Sequence, residues 1–182
     1  MRYTGALTSL GKLFGRSTIY GRAGEHDTPY MTRIWFGRLR LHIFHRGDQD
    51  PDCHDHPWNF WTFPLTSYVE EVVTPSVAAN YQNSDRSASV NRRVSERYVQ
   101  VVKAFRFSYR PAEHCHRVLG RFNESYVGGV PVIDDRKIVT FVWRSGAERQ
   151  WGFLKTRNGR WCWSPWREYV FGGGKDAPCS DD

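Results

Sequence analysis

Between Tyr30 and Trp163 the chain runs in short stretches that alternate apolar and polar residues with period two, the repeat of a half-buried β-strand. Met31-Thr32-Arg33-Ile34-Trp35-Phe36 and Arg38 to His45 are two such stretches, with Gly37 as the break between them. Lys137-Ile138-Val139-Thr140-Phe141-Val142-Trp143 is a third. Trp151 to Lys155 and Arg160 to Trp163 flank Asn158-Gly159, a dipeptide suited to the left-handed turn of a hairpin. No convincing amphipathic helix interrupts the central hundred residues. Aromatics make up 15% of the chain, with eight tryptophans, and such residues fit a pleated, half-buried surface. Many short strands with turn punctuation imply a β-sandwich or barrel.

The 182 residues suffice for one domain with extensions. Residues 1–28 are Gly- and Thr-rich with little periodicity and read as an irregular arm. Residues 29–171 form the β domain. Within it, 74–97 is a polar, Ser-, Asn- and Arg-rich stretch too long for an ordinary hairpin loop; it reads as a flap, with Arg92, Arg93 and Arg97 available to an anion. Residues 172–182, opening on three glycines, read as a flexible tail.

Four of the seven histidines fall in two His-x-His pairs, in Cys53-His54-Asp55-His56-Pro57 and Pro111-Ala112-Glu113-His114-Cys115-His116. On an extended strand each pair aims two imidazoles at one space, and neutral imidazole is the commonest protein ligand for zinc, iron, nickel and copper. Two such strands side by side make a nitrogen-rich metal site. By parity Cys53 and Cys115 face away from the histidines as packing residues, and Asp55 and Glu113 serve the surface or anchor loops. His42 and His45 have opposite parity and read as hydrogen-bonded strand histidines.

The net charge of +7 comes from scattered basic residues, and no helical DNA-reading motif is present, which argues against nucleic acid and suits a small anionic ligand. No run approaches a membrane span, and the first ten residues lack an apolar signal region, so a cytoplasmic location is expected. The four cysteines contain no Cys-x-x-Cys and do not read as a disulfide framework, in keeping with a reducing compartment.

With the histidine pairs placed on strands, the sequence resembles the cupin superfamily, whose fold is an all-β double-stranded β-helix, or jelly roll. Its first motif is H-x-H, three or four residues, Glu, six residues, Gly; its second is P-x-G-x-x-H. His54-Asp55-His56 matches the opening of the first, and Pro111 to His116 matches the second with Glu113 in the glycine slot. The family's glutamate slot falls on Phe60 or Trp61 and its closing glycine on Ser67 or Tyr68, so the usual set of three histidines and a glutamate is not intact. The run His54-Asp55-His56-Pro57-Trp58, with Glu70, Arg144 and Trp151-Gly152-Phe153, also looks like a group of small bacterial and phage cupin-like proteins.

The resemblance implies a divalent ion on His54, His56 and His116, with Fe(II) favoured over Zn(II) or Ni(II). His114 would be either a fourth ligand or an acid/base beside the metal, with Tyr68 as a second catalytic candidate. Arg106, Arg144 and Trp58 are candidates for binding a small, anionic substrate. The implied activity is that of a three-histidine dioxygenase. Alternatives are a non-redox isomerase, epimerase or lyase, or a non-catalytic module binding a nucleotide or sugar phosphate. A homodimer is compatible with either.

Overall fold

A computed structural model describes residues 2–4, 13–23, 26–74, 96–146 and 148–179. Among these described residues are fourteen strands and one short helix: β1 (Arg2–Thr4), β2 (Phe14–Ala23), β3 (His26–Phe36), β4 (Leu39–Phe44), β5 (Cys53–His54), β6 (Phe60–Pro64), β7 (Tyr68–Thr74), β8 (Glu96–Val102), β9 (Ser108–Arg110), β10 (Cys115–Val127), β11 (Val130–Asp134), β12 (Ile138–Arg144), β13 (Gly152–Arg157), β14 (Arg160–Pro165) and α1 (Trp166–Phe171). They form two antiparallel sheets, β1-β2-β3-β4-β12-β6-β9 and β14-β13-β5-β10-β7-β8, with β11 paired to β10.

The order of the barrel strands identifies the architecture. Counting β4 to β10 and then β12 as first to eighth, the sheets read first-eighth-third-sixth and second-seventh-fourth-fifth. The chain therefore crosses repeatedly from one sheet to the other, the winding of a double-stranded β-helix. The fold is an all-β jelly roll. Between its sheets Tyr68, Val102, Val118 and Ile138 pack with Phe44 as one apolar cluster. Cys53, Val73, Cys115 and Leu154 form a second cluster, against which Trp161 and Trp163 pack.

Three expectations from sequence are corrected. Much of the arm is strand: β2 and β3 pair over their length and widen the first sheet. Hydrophobic periodicity is faint there because the first inward positions of β2, Gly15 and Ser17, are small or polar. Gly15 is one of these, and a Cβ on it would lie 2.4 Å from the Trp35 ring, so the indole fills that space. The segment 172–179 is packed rather than loose: the Lys155 ammonium donates to the Gly174 and Ala177 carbonyls, and the Arg157 guanidinium to the Lys175 carbonyl. These anchors are polar, so apolar patterning does not announce them. Finally, two of the four cysteines pair, Cys162 with Cys179, while Cys53 and Cys115 stay free and buried.

The disulfide closes a loop with a sequence separation of 17 residues. Loop-closure entropy for about 15 residues is worth about 3 kcal/mol. Cys162→Ser should therefore lower the urea-unfolding free energy by about that amount. Reductant should bring the wild-type protein down to the variant; equal stability in all three states would show that the crosslink contributes nothing.

No helix among the described residues is long and apolar enough to cross a membrane. The flap expectation falls largely on residues 75–95, which with Arg92 and Arg93 lie outside the described residues. Its ends are paired, Thr74 opposite Glu96. Arg97 is already engaged, 3.6 Å from Glu71 and stacked over the Trp161 ring.

Candidate metal centre

β5 and β10 are neighbours, and their register puts His54 directly opposite His116. His56 follows two residues after His54 and is held by its backbone N–H donating to the Ala112 carbonyl at 2.8 Å, which ties the first motif to the second. Arg149 strengthens that tie. Its guanidinium donates to the carbonyls of His56 and Ala112 and to the Asp55 carboxylate, and its backbone N–H donates to Pro57. Asp55 points away from the histidines and is buried, accepting from the Gly152 N–H and the Trp163 indole as well. Glu113, by contrast, is exposed.

The three imidazoles form a compact triangle, with ring centroids 5.3 Å (His54–His56), 5.5 Å (His54–His116) and 5.0 Å (His56–His116) apart. Their ligand atoms all lie within 4.8 Å of one another. Burial pushes all three pKa values down, that of His54 to about 4 despite the opposing pull of Asp50, so at neutral pH each ring is uncharged and has a lone pair to give. His56 Nε2 is buried with no hydrogen-bond partner among the described residues. A buried ring nitrogen without a partner is costly unless something occupies it. The donor set fits a divalent first-row ion.

Glu70 completes the arrangement. It lies on β7 and is fully buried. Its residue pairs with Val118, making it the diagonal neighbour of His116 on the same sheet face. His116 Nδ1 donates to Glu70 Oε2 at 2.6 Å, which fixes the tautomer and leaves Nε2 free for the triangle. The other carboxylate oxygen receives Gln100 Nε2 at 2.6 Å and the Arg110 guanidinium at 2.8 Å. Burial alone would push the Glu70 carboxyl up, but His116 and Arg110 beside it outweigh that and hold the group well below the usual carboxylate range.

Glu70, His114 and His116 also stand close enough to be considered as an ion site. Arg110 argues against it. A guanidinium has only donors, so Arg110 donates to His114 Nε2 at 3.0 Å and occupies its lone pair. Its charge already neutralises Glu70 and would repel a cation. His114 Nε2 is 3.8 Å from Glu70, too far for a hydrogen bond. The His114 ring lies 4.8 Å from that of His116.

Aromatic side chains wall the triangle. Trp58 stacks on His56 at 6.0 Å and Phe60 meets its edge at 4.6 Å. Trp151 and Phe153 flank His54. Phe153 in turn stacks on Tyr169 of α1, whose single O–H is shared between the carboxylates of Asp50 and Asp52 in the loop leading to His54.

The remaining candidates are spread out. Tyr68 lies in the apolar cluster between the sheets, where burial and then the Glu70 charge push its pKa up and keep it neutral. Arg144, the last residue of β12, stands opposite Phe60 in the register and is bound to Glu148 at 3.0 Å. Arg106 lines an open hollow of about 520 Å³ that Gln100, Lys103 and Arg110 also line. His45 is hydrogen-bonded to Thr32, as expected of a strand histidine, but His42 is buried with Nε2 unpartnered among the described residues. Sequence reading missed Glu70, Arg110 and Arg149 as site components. Glu70 carried a signal, since in Tyr68-Val69-Glu70-Glu71-Val72 the two adjacent acids must point to opposite sheet faces.

No family model matches the sequence, and no curated protein matches it. Among solved structures the chain is similar to the Drosophila melanogaster CENP-C cupin domain, with 7% identity and a TM-score of 0.38 over 70% of this chain and 75% of that one. It is also similar to Fe(II)-HppE with the alternative substrate (S)-1-HPP, with 8% identity and a TM-score of 0.40. That match spans 71% of this chain and 56% of the other. A third, Drosophila melanogaster CENP-C bound to CAL1, shows 7% identity and a TM-score of 0.38 over 70% and 80%.

Proposed function

We propose that the protein is a metal-dependent jelly-roll enzyme that holds one divalent ion, Fe(II) by preference, on His54, His56 and His116 and acts on a small anionic molecule. The observation that carries this reading is the triangle of neutral imidazoles, with ligand atoms within 4.8 Å of one another, together with the buried and unpartnered Nε2 of His56. Three facial nitrogens leave coordination positions open, and Fe(II) in such a set supplies dioxygen activation when bound. With no carboxylate in the set, the ion's charge is not offset by its ligands, which favours an anionic substrate. Each residue around the triangle has a task of its own. Glu70 holds His116 in the tautomer that offers Nε2. Trp58, Phe60, Trp151 and Phe153 exclude water from the reacting space. Arg144, at the end of β12, attracts and orients a carboxylate or phosphate, while His114 and Arg110 keep the Glu70–His116 pair in place.

The test is metal content after anaerobic loading with Fe(II), followed by removal of free ion. Wild-type protein should retain about one ion per chain, and His56→Ala should lose affinity by more than the 10–100-fold typical of changes behind a ligand. A triple alanine variant of the triangle that keeps wild-type metal would sink the assignment. Retention of zinc in place of redox-active iron would turn the reading toward non-redox chemistry.

A further inference from the structure

The first sheet turns a wide apolar face to solvent, and the register shows how continuous it is. One rung runs Phe14, Phe36, Leu39, Trp143, Trp61, Tyr109 across six strands, each residue paired with the next. Residues paired directly across strands lie on the same face. The next rung on that face, two residues along each strand, carries Ile34, Leu41, Phe141 and Phe63, with Arg16 at its β2 end. Phe107, two residues before Tyr109, packs its ring on Phe63 at 4.6 Å and extends this rung.

The alternate residues Phe60, Thr62, Thr140 and Val142 are buried inside the barrel, so these rungs are its outside. Trp61, Trp143 and Tyr109 are about half exposed at 49%, 52% and 50%, and Phe36 and Phe107 more so at 66% and 73%. Arg16 is the only charged residue on the two rungs.

From these observations we infer that the face is the interface of a two-fold homodimer. At about 200 Å² per large apolar side chain, the exposed fractions of its six exposed aromatics together with Leu39 and Ile34 amount to about 800 Å². That is the share one partner contributes to a standard interface, and it exceeds the ~300–600 Å² of the largest apolar patch on a typical monomer. Charge points to a second copy and to its orientation. A chain of net charge +7 repels its own copies least across a surface nearly free of charge, and on this face the two rungs carry only Arg16. A two-fold axis across the strands would set Arg16 against Arg16. An axis parallel to the strands instead lays β2 over β9 of the partner subunit, so that Arg16 meets the aromatic rings at the β9 end and makes a favourable cation–π contact.

Sedimentation equilibrium of the full chain tests this. The wild type should sediment at twice its 21.3 kDa at low micromolar concentration. Trp143→Glu should weaken association at least a hundred-fold while circular dichroism remains that of the wild type, because the side chain points outward. If that variant fails to fold, Phe107→Glu, outside any strand, should give the same loss. A wild type monomeric at 100 µM, a mass that grows beyond the dimer with concentration, or a dimer indifferent to both substitutions would each overturn the proposal. For the axis, an Arg16→Cys/Tyr109→Cys double variant should crosslink under mild oxidation, and Arg16→Cys alone should not; the reverse result would overturn the arrangement.

Discussion

Asp55→Ala is expected to cost about 3–5 kcal/mol of stability, the loss typical when one partner of a buried ion pair is removed. Asp55 is the middle residue of the first histidine pair and is 1% exposed. One carboxylate oxygen takes the Gly152 N–H at 2.6 Å; the other takes two nitrogens of Arg149, at 2.9 and 3.1 Å, and the Trp163 indole N–H at 3.2 Å. Alanine would leave these donors facing a void, with the Arg149 charge short of its counterion. The same cluster ties β13 and β14 to the loop carrying His54 and His56, so metal retention should fall along with stability. Asp55→Asn keeps an acceptor for Gly152 but turns an amide N–H toward Arg149, and should cost less, about 1.5–3 kcal/mol. Urea unfolding of metal-free protein measures both. If Asp55→Ala unfolds at the wild-type denaturant concentration, the residue is not the anchor described.

The strands that build the barrel were legible because their apolar residues alternate. Lys137 to Trp143 and Arg38 to His45 fall on β12 and β4, and Asn158-Gly159 sits at a hairpin turn with both residues at positive φ, 53° and 74°. Elements held by other means were not legible. β2 puts glycine and serine where a strand would normally show apolar residues, and its partner Trp35 supplies the bulk. The segment after Phe171 is fastened by buried polar contacts and a crosslink, neither of which leaves a periodic trace. The pairing of Cys162 with Cys179 depends on where β14 and the chain end lie in space, which no spacing rule supplies.

The site divides in the same way. His54, His56 and His116 were legible because strand parity and neighbouring strands are enough to bring them together. The residues that hold them are long-range partners: Arg149 acts on residues 37 and 94 positions away, and Arg110 reaches Glu70 from the opposite sheet. The clue available was chemical. An acid between two histidines and an acid among valines both demand a cationic or donor partner, though neither says which of the 26 basic residues provides it.

Glu70→Ala should combine a large loss of stability with a loss of metal affinity, a pairing that separates a supporting carboxylate from a ligand or a bystander. Arg110 is 11% exposed and Glu70 not at all, so removing the carboxylate strands a buried guanidinium and should cost about 3–5 kcal/mol. His116 then loses the acceptor that fixes its tautomer, and metal affinity should fall by roughly 10–100-fold, the usual effect of removing the partner of a ligating imidazole. Glu70→Gln distinguishes the two contributions. It can still accept from His116 Nδ1 but no longer neutralises Arg110, so it should recover more of the metal affinity than of the stability. Pairing it with Arg110→Met, which removes the stranded charge while keeping apolar bulk, should restore part of the stability and little of the metal affinity. Were Glu70 itself a ligand, Glu70→Gln would lose metal as completely as His56→Ala. Were it a bystander, neither Glu70 variant would change metal binding beyond what its lower stability explains. Titration of each variant with Fe(II) under anaerobic conditions, alongside urea unfolding of the metal-free proteins, reads the two effects independently.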